Sequence, residues 1–104
     1  MKTLVFLLSL VLICLATDDI WLGEDQTPGF IQVREDGDDL FYWLMRSRGD
    51  KDTDPLVVWL TGGPGCASEL AVMYENGPWK INEDITLRKN PYSWNDHSNI
   101  VFVD

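Results

Sequence analysis

Polar and apolar positions alternate along "GFIQVRE", where Ile31 and Val33 are set against Gln32 and Arg34. That period of two predicts a strand with one face buried. "EDGDD" follows with a turn around Asp36 and Gly37, and "LFYWLMRS" is rich in β-favouring aromatics. Together they predict an antiparallel hairpin. "RGDKDTDP" is polar and closes on proline, the pattern of a surface connection, with Arg48, Gly49 and Asp50 as turn residues.

"LVVWL" has no alternation. Apolar at every position and bounded by breakers, it predicts an interior strand of a parallel sheet, covered on both faces. Beyond a glycine-rich loop, Leu70, Met73 and Tyr74 recur at helical spacing and predict the inward face of a helix of about three turns. Asn76, Gly77 and Pro78 stop that helix. "NPYSWN" is a turn cluster, and "NIVFVD" is a second strand of buried type.

The predicted order is strand, strand, strand, helix, connection, strand. A helical crossover between the last two strands implies a parallel α/β unit. Such a sheet needs helices on both faces, and one short helix cannot supply them. The expectation is the N-terminal part of a larger α/β domain that buries too little apolar surface to be stable by itself.

The first residues, "MKTLVFLLSLVLICLA", place Lys2 before an apolar run from Leu4 to Ala16. As a helix the run rises only ~20 Å, short of the ~30 Å hydrocarbon core, so no stable membrane span is expected. Ending in Cys-Leu-Ala and followed by "TDD", it reads as a secretory signal of residues 1–16, cleaved after Ala16. Cleavage would remove Cys14 and leave Cys66 alone in an oxidising compartment, either lacking a partner or as a free thiol. The 104 residues carry a formal net charge of −9. That acidity argues against nucleic acid as a partner and otherwise reports solubility.

Candidate chemistry sits in "TGGPGC". Glycines admit a ligand to within hydrogen-bonding distance of the main chain, and Pro64 stiffens the loop without adding a donor. Gly62, Gly63 and Gly65 keep their N–H groups, and the helix start behind them adds unpaired donors. Such a loop suits an oxygen that gains charge during acyl transfer. A tight strand-to-helix turn is the bland alternative. A phosphate loop lacks its Gly-Lys-Ser/Thr ending here.

Neither Ser68 nor Cys66 lies in a Gly-x-Ser-x-Gly arrangement, and His97 stands in the wrong place for the hydrolase order of nucleophile, acid and histidine. His97 reads as a surface or capping side chain. No metal ligand set and no cofactor are expected.

From about "GFIQV" to Asp104 the chain resembles the serine carboxypeptidase family. The resemblance rests on "LFYWLMRSR", "DPLVVWLTGGPGCAS", "ENGP" and "NPYSWNDHSNIVFVD", in the family's order and at its spacing. It implies that residues 17–104 are the N-terminal part of an α/β-hydrolase fold, an antiparallel hairpin leading into a mostly parallel sheet. It also implies a secreted or lysosome-like enzyme whose Ser-Asp-His triad releases C-terminal amino acids from peptides at acidic pH.

Carried over by position, Gly63 is the oxyanion-hole donor. Thr61 and Gly62 hold the substrate's terminal carboxylate, with Thr61 standing where the family usually has asparagine. Glu75 pairs with a later carboxylic acid in the same recognition site. Close carboxyls cannot both ionise cheaply, which favours activity at low pH. Cys66 would be bridged to a cysteine further along. Trp59 and Trp94 also match, as packing residues. The triad is expected beyond Asp104, so the chain alone should be inactive.

Rival readings are an acyltransferase or a proline-releasing aminopeptidase on the same scaffold, and a secreted acidic binding module with no catalysis.

Overall fold

The computed structural model describes residues 19–104; the secretory signal expected at residues 1–16 lies outside the described residues. The main sheet is built from β1 (Gln26–Gln32), β2 (Asp39–Met45), β3 (Leu56–Trp59) and β6 (Asn99–Val103). Between β3 and β6 lie helix α1 (Glu69–Tyr74), a small hairpin of β4 (Trp79–Ile81) and β5 (Leu87–Lys89), and a 3₁₀ turn, Trp94–Asp96.

The sheet order is β1-β2-β6-β3. β1 pairs antiparallel with β2 from Gln26↔Met45 to Gln32↔Asp39, which is the expected hairpin. β6 enters between β2 and β3, antiparallel to the first and parallel to the second. The parallel pair joined through a helix is therefore present. Within the described residues, however, the sheet is mixed, with two of its three pairings antiparallel.

Side chains alternate across the pleat. Trp43 stands opposite Phe102, Met45 opposite Ile100, and Val57 and Trp59 opposite Ile100 and Phe102 on the other side of β6. These six residues share one face. With Ala71, Val72 and Trp79 they form the core, and Met45, Ile100 and Phe102 are almost fully buried. Trp21, Trp43 and Trp79 pack edge-on or tilted with ring centroids 5.0–5.5 Å apart, and the Trp79 indole N–H donates to Trp21 O at 2.9 Å.

The other face is uncovered. Leu56, Val58 and Leu60 are 63%, 59% and 69% exposed, so "LVVWL" is an edge strand with one covered face among the described residues. Ile31 and Val33 are also exposed. The expectation of cover on both faces fails here because α1 and the β4–β5 hairpin pack on one side only.

α1 is shorter than expected, six residues, and buries Ala71 and Val72 while Leu70 and Tyr74 face solvent. With under two turns the helix has no long stripe to bury. Small Ala71 lets it lie close to the sheet instead.

A polar cluster pins the connections. The Arg48 guanidinium contacts Glu24 at 2.7 Å and Asp96 at 2.7 Å, and also donates to Asn90 O and Pro78 O. Asn95 Nδ2 donates to Glu24 and to Arg46 O. Burial opposes the charge on Arg48, but the Glu24 and Asp96 carboxylates outweigh it and raise its pKa further. Arg48 was expected to be a turn residue; it ties five segments together.

Candidate functional site

β3 delivers Thr61 to the start of the glycine loop, and the loop returns into α1 at Ser68. The Trp59 indole donates to Thr61 Oγ1 at 3.2 Å. That contact fixes the hydroxyl oxygen and leaves its proton free to donate outward. Trp59 is itself braced edge-on by Trp94, with centroids 5.3 Å apart.

Ser68, weighed in sequence as a nucleophile candidate, is 3% exposed. Its Oγ accepts the Thr61 N–H at 3.1 Å, and its own N–H donates to Asp104 Oδ1 at 3.1 Å. Ser68 occupies the N-cap position of α1 without making a side-chain cap bond. Its hydroxyl joins the two ends of the loop, and its N–H ties them to Asp104, the residue after β6.

Between these ends, Gly62, Gly63, Gly65 and Cys66 are exposed, and their N–H groups make no hydrogen bond among the described residues. The Gly63–Pro64 peptide is cis, and Gly65 has φ +78°. A Cβ on Gly63 would stand 2.9 Å from Cys66 N and 3.0 Å from Cys66 Sγ, too close for any side chain. Two of the glycines are thus demanded by geometry, one by space and one by a left-handed backbone. Such a loop can offer main-chain donors to an oxygen.

Glu75 lies at the opposite end of α1, ~10 Å of helix away from Ser68. It is exposed, its N–H donates to Ala71 O at 3.1 Å, and its carboxylate makes no hydrogen bond among the described residues. The structure therefore gathers Thr61, Gly62, Gly63 and Cys66 into one loop and leaves Glu75 apart from them. Cys66 is an exposed free cysteine. His97 is exposed just past the 3₁₀ turn. Among the described residues no three His, Cys, Asp or Glu side chains gather as a metal site, and no helix is long and apolar enough to cross a membrane.

Sequence reasoning missed Arg48, Asn90 and Asp104. Each acts over a long sequence separation, where neither periodicity nor a local motif gives a signal.

The family model described as serine carboxypeptidase matches residues 18–104. The chain belongs to the serine carboxypeptidase family. Carboxypeptidase Y homolog A of Paracoccidioides lutzii is 46% identical over 92 residues, 86% of this chain and 17% of that protein. Serine carboxypeptidase 3 of Oryza sativa subsp. japonica is 58% identical over 65 residues, 62% of this chain and 13% of its own length.

Among solved structures, Kex1(delta)p, a prohormone-processing carboxypeptidase from Saccharomyces cerevisiae, matches with a TM-score of 0.67 and 32% identity. The match covers 78% of this chain and 19% of that one. The serine carboxypeptidase relatives are thus several times longer than this chain, which spans less than a fifth of their length.

Proposed function

We propose that this chain is the N-terminal part of an α/β-hydrolase-fold serine carboxypeptidase, made with a secretory signal of residues 1–16 and acting in the secretory pathway, outside the cell or in a lysosome or vacuole. The longer protein attacks the last peptide bond of a peptide or protein with a serine supplied outside this chain. Gly63 N–H stabilises the oxyanion of the tetrahedral intermediate, a donor of the kind whose loss costs ~3 kcal/mol of transition-state stabilisation. Thr61 and the Gly62 N–H bind the C-terminal carboxylate. Glu75, with a second carboxyl from the remainder, completes that carboxylate site, and activity is greatest at acidic pH, where close carboxyls repel least. Cys66 pairs with a cysteine of the remainder.

The observation that carries this reading is the set of exposed N–H groups at Gly62, Gly63 and Gly65, unpaired among the described residues, in a loop whose ends Ser68 and Asp104 hold.

The test is substrate polarity in the longer protein. An N-blocked dipeptide with a free C-terminus should be cut, and a serine-directed phosphonate should abolish the cutting. N-terminal trimming would favour the aminopeptidase reading instead, and ester exchange would favour the acyltransferase. Phosphonate-sensitive hydrolysis by the 104-residue chain alone would contradict the placement of the triad outside it.

A further inference from the structure

Four successive carbonyl oxygens, from Glu75 to Pro78, are each held by a donor from elsewhere in the chain. Lys80 Nζ donates to Glu75 O at 2.8 Å. Trp94 N–H donates to Asn76 O at 2.9 Å, and the one Ser93 hydroxyl hydrogen is shared between Asn76 O, 3.1 Å away, and Asn95 Oδ1. Asn90 Nδ2 donates to Gly77 O at 2.8 Å, and Asn90 N–H donates to Pro78 O at 2.7 Å. Arg48 closes the set, reaching Pro78 O at 3.2 Å and Asn90 O at 2.9 Å.

A turn that only had to end a helix would not need this. Helix stops commonly satisfy one or two carbonyls through a glycine cap and leave the others to water. Here Asn76, Gly77, Pro78 and Asn90 are all buried, and Asn90 is 4% exposed. The Asn76 carboxamide is buried with no partner for either polar atom among the described residues, so the turn is restrained through its main chain, the Glu75 and Gly77 N–H groups on Ala71 O adding to the held carbonyls. A Cβ on Gly77 would collide with the Val72 backbone, which locks the turn against α1. The residue this arrangement leaves in solvent is Glu75, on the rim of a rigid turn.

We propose that Asn90, with Ser93 and Arg48 behind it, is a positioning residue for the Glu75 carboxyl and so sets preference for substrates that end in a free carboxylate. This deepens the carboxylate-recognition reading of Glu75 and rests on it. Asn90 has every polar group engaged: Tyr92 N–H donates to its Oδ1 at 3.1 Å while its other groups hold Gly77, Pro78 and Arg48. It touches no reacting atom. It acts by fixing the backbone from which Glu75 projects.

The test uses the longer protein and the ratio of kcat/KM for an N-blocked dipeptide with a free C-terminus to that for its C-terminal amide. Asn90→Asp turns an oxygen toward Gly77 O where a donor stood. It should lower the ratio about tenfold, the worth of one charge-assisted hydrogen bond. Turnover of the amide should stay within about twofold, since that substrate makes no such bond.

In a Glu75→Gln background the same substitution should leave the ratio unchanged. Ser93→Ala, which removes the hydroxyl shared between Asn76 O and Asn95 while Trp94 N–H still holds Asn76 O, should lower the ratio in the same direction, and it decides the matter if Asn90→Asp does not fold. Should Glu75→Gln lower the ratio while Asn90→Asp and Ser93→Ala slow both substrates in equal proportion, the positioning role is wrong. Should Glu75→Gln itself leave the ratio unchanged, the recognition reading of Glu75 fails, and this proposal fails with it.

Discussion

Ser68 and Asp104, thirty-six residues apart in sequence, meet at 3.1 Å, the Ser68 N–H donating to the Asp104 carboxylate. The residue just past the interior strand β6 thereby holds the start of α1, and Ser68 Oγ passes that restraint on to Thr61. The loop is fixed at both ends, and the N–H groups of its middle have no hydrogen-bond partner among the described residues.

Removing the anchor should therefore loosen the donors without removing them. Asp104→Ala in the longer protein should lower kcat about tenfold, the effect of about 1.4 kcal/mol in transition-state stabilisation, and change KM little. Asp104→Asn keeps an acceptor oxygen and should retain most of the rate. Steady-state kinetics on the two variants checks this.

A side chain at Gly63 should be worse. The added methyl of Gly63→Ala has no room beside Cys66, so the loop must move and carry its donor away. A fall in kcat of about 10²–10³ is expected, as for loss of an oxyanion donor, while circular dichroism and the thermal midpoint stay close to the parent's. An unchanged kcat would remove Gly63 from the oxyanion hole.

Thr61 invites a gain. Its hydroxyl oxygen accepts from Trp59 at 3.2 Å and leaves one proton for a substrate carboxylate. In Thr61→Asn the amide oxygen can take over the Trp59 bond and the NH₂ group can offer two hydrogens. KM for free-acid peptides should fall about fivefold, the worth of about 1 kcal/mol, with kcat unaltered. Measured against the C-terminal amide of the same peptide, KM should not move.

Arg48 and Glu24 should dominate stability. The Glu24 side chain is 3% exposed and its oxygen lies 2.7 Å from the guanidinium, so Arg48→Ala leaves a buried carboxylate with only Asn95 Nδ2 and Lys89 Nζ, the latter at 3.5 Å. The substitution should cost about 3 kcal/mol in denaturant unfolding, the low end for breaking a buried pair. The folded state raises the Arg48 pKa, burial working against the shift and the Glu24 and Asp96 hydrogen bonds for it. A raised pKa on a cation means that its stabilising contribution is complete below the unfolded-state pKa and is lost only as pH rises through the folded one. Both lie above the ordinary working range. The cost of Arg48→Ala should therefore be the same at about pH 7 and about pH 9, and shrinkage over that interval would contradict the assignment.

Much of this fold is legible in sequence where one strand carries its own signal. Alternation at Ile31 and Val33 locates the hairpin, although β1 begins earlier, at Gln26, because its pairing partners extend to Met45. The apolar runs "LVVWL" and "NIVFV" locate the parallel pair. The β4–β5 hairpin is not legible. Its strands have three residues each, and its turn places Ile85 at φ +66°, where no β-branched preference points.

Spacing predicts Leu70, Met73 and Tyr74 as the inward face of α1; Met73 does pack against the core, but contact with the sheet buries Ala71 and Val72 in place of Leu70 and Tyr74. Of the candidate site, the glycine loop is legible because its chemistry is local. Asp104, which supports that loop, and the Asn90–Arg48 pair, which supports the turn after Glu75, are not, since long-range packing alone brings them into place.

The most direct measurement is a structure of the longer protein with a serine-bound phosphonate. The phosphonyl oxygen that stands for the oxyanion should lie about 2.7–3.1 Å from Gly63 N, within hydrogen-bond range of that amide. A phosphonyl oxygen held by other donors, with the Gly63 N–H pointing away, would contradict the account.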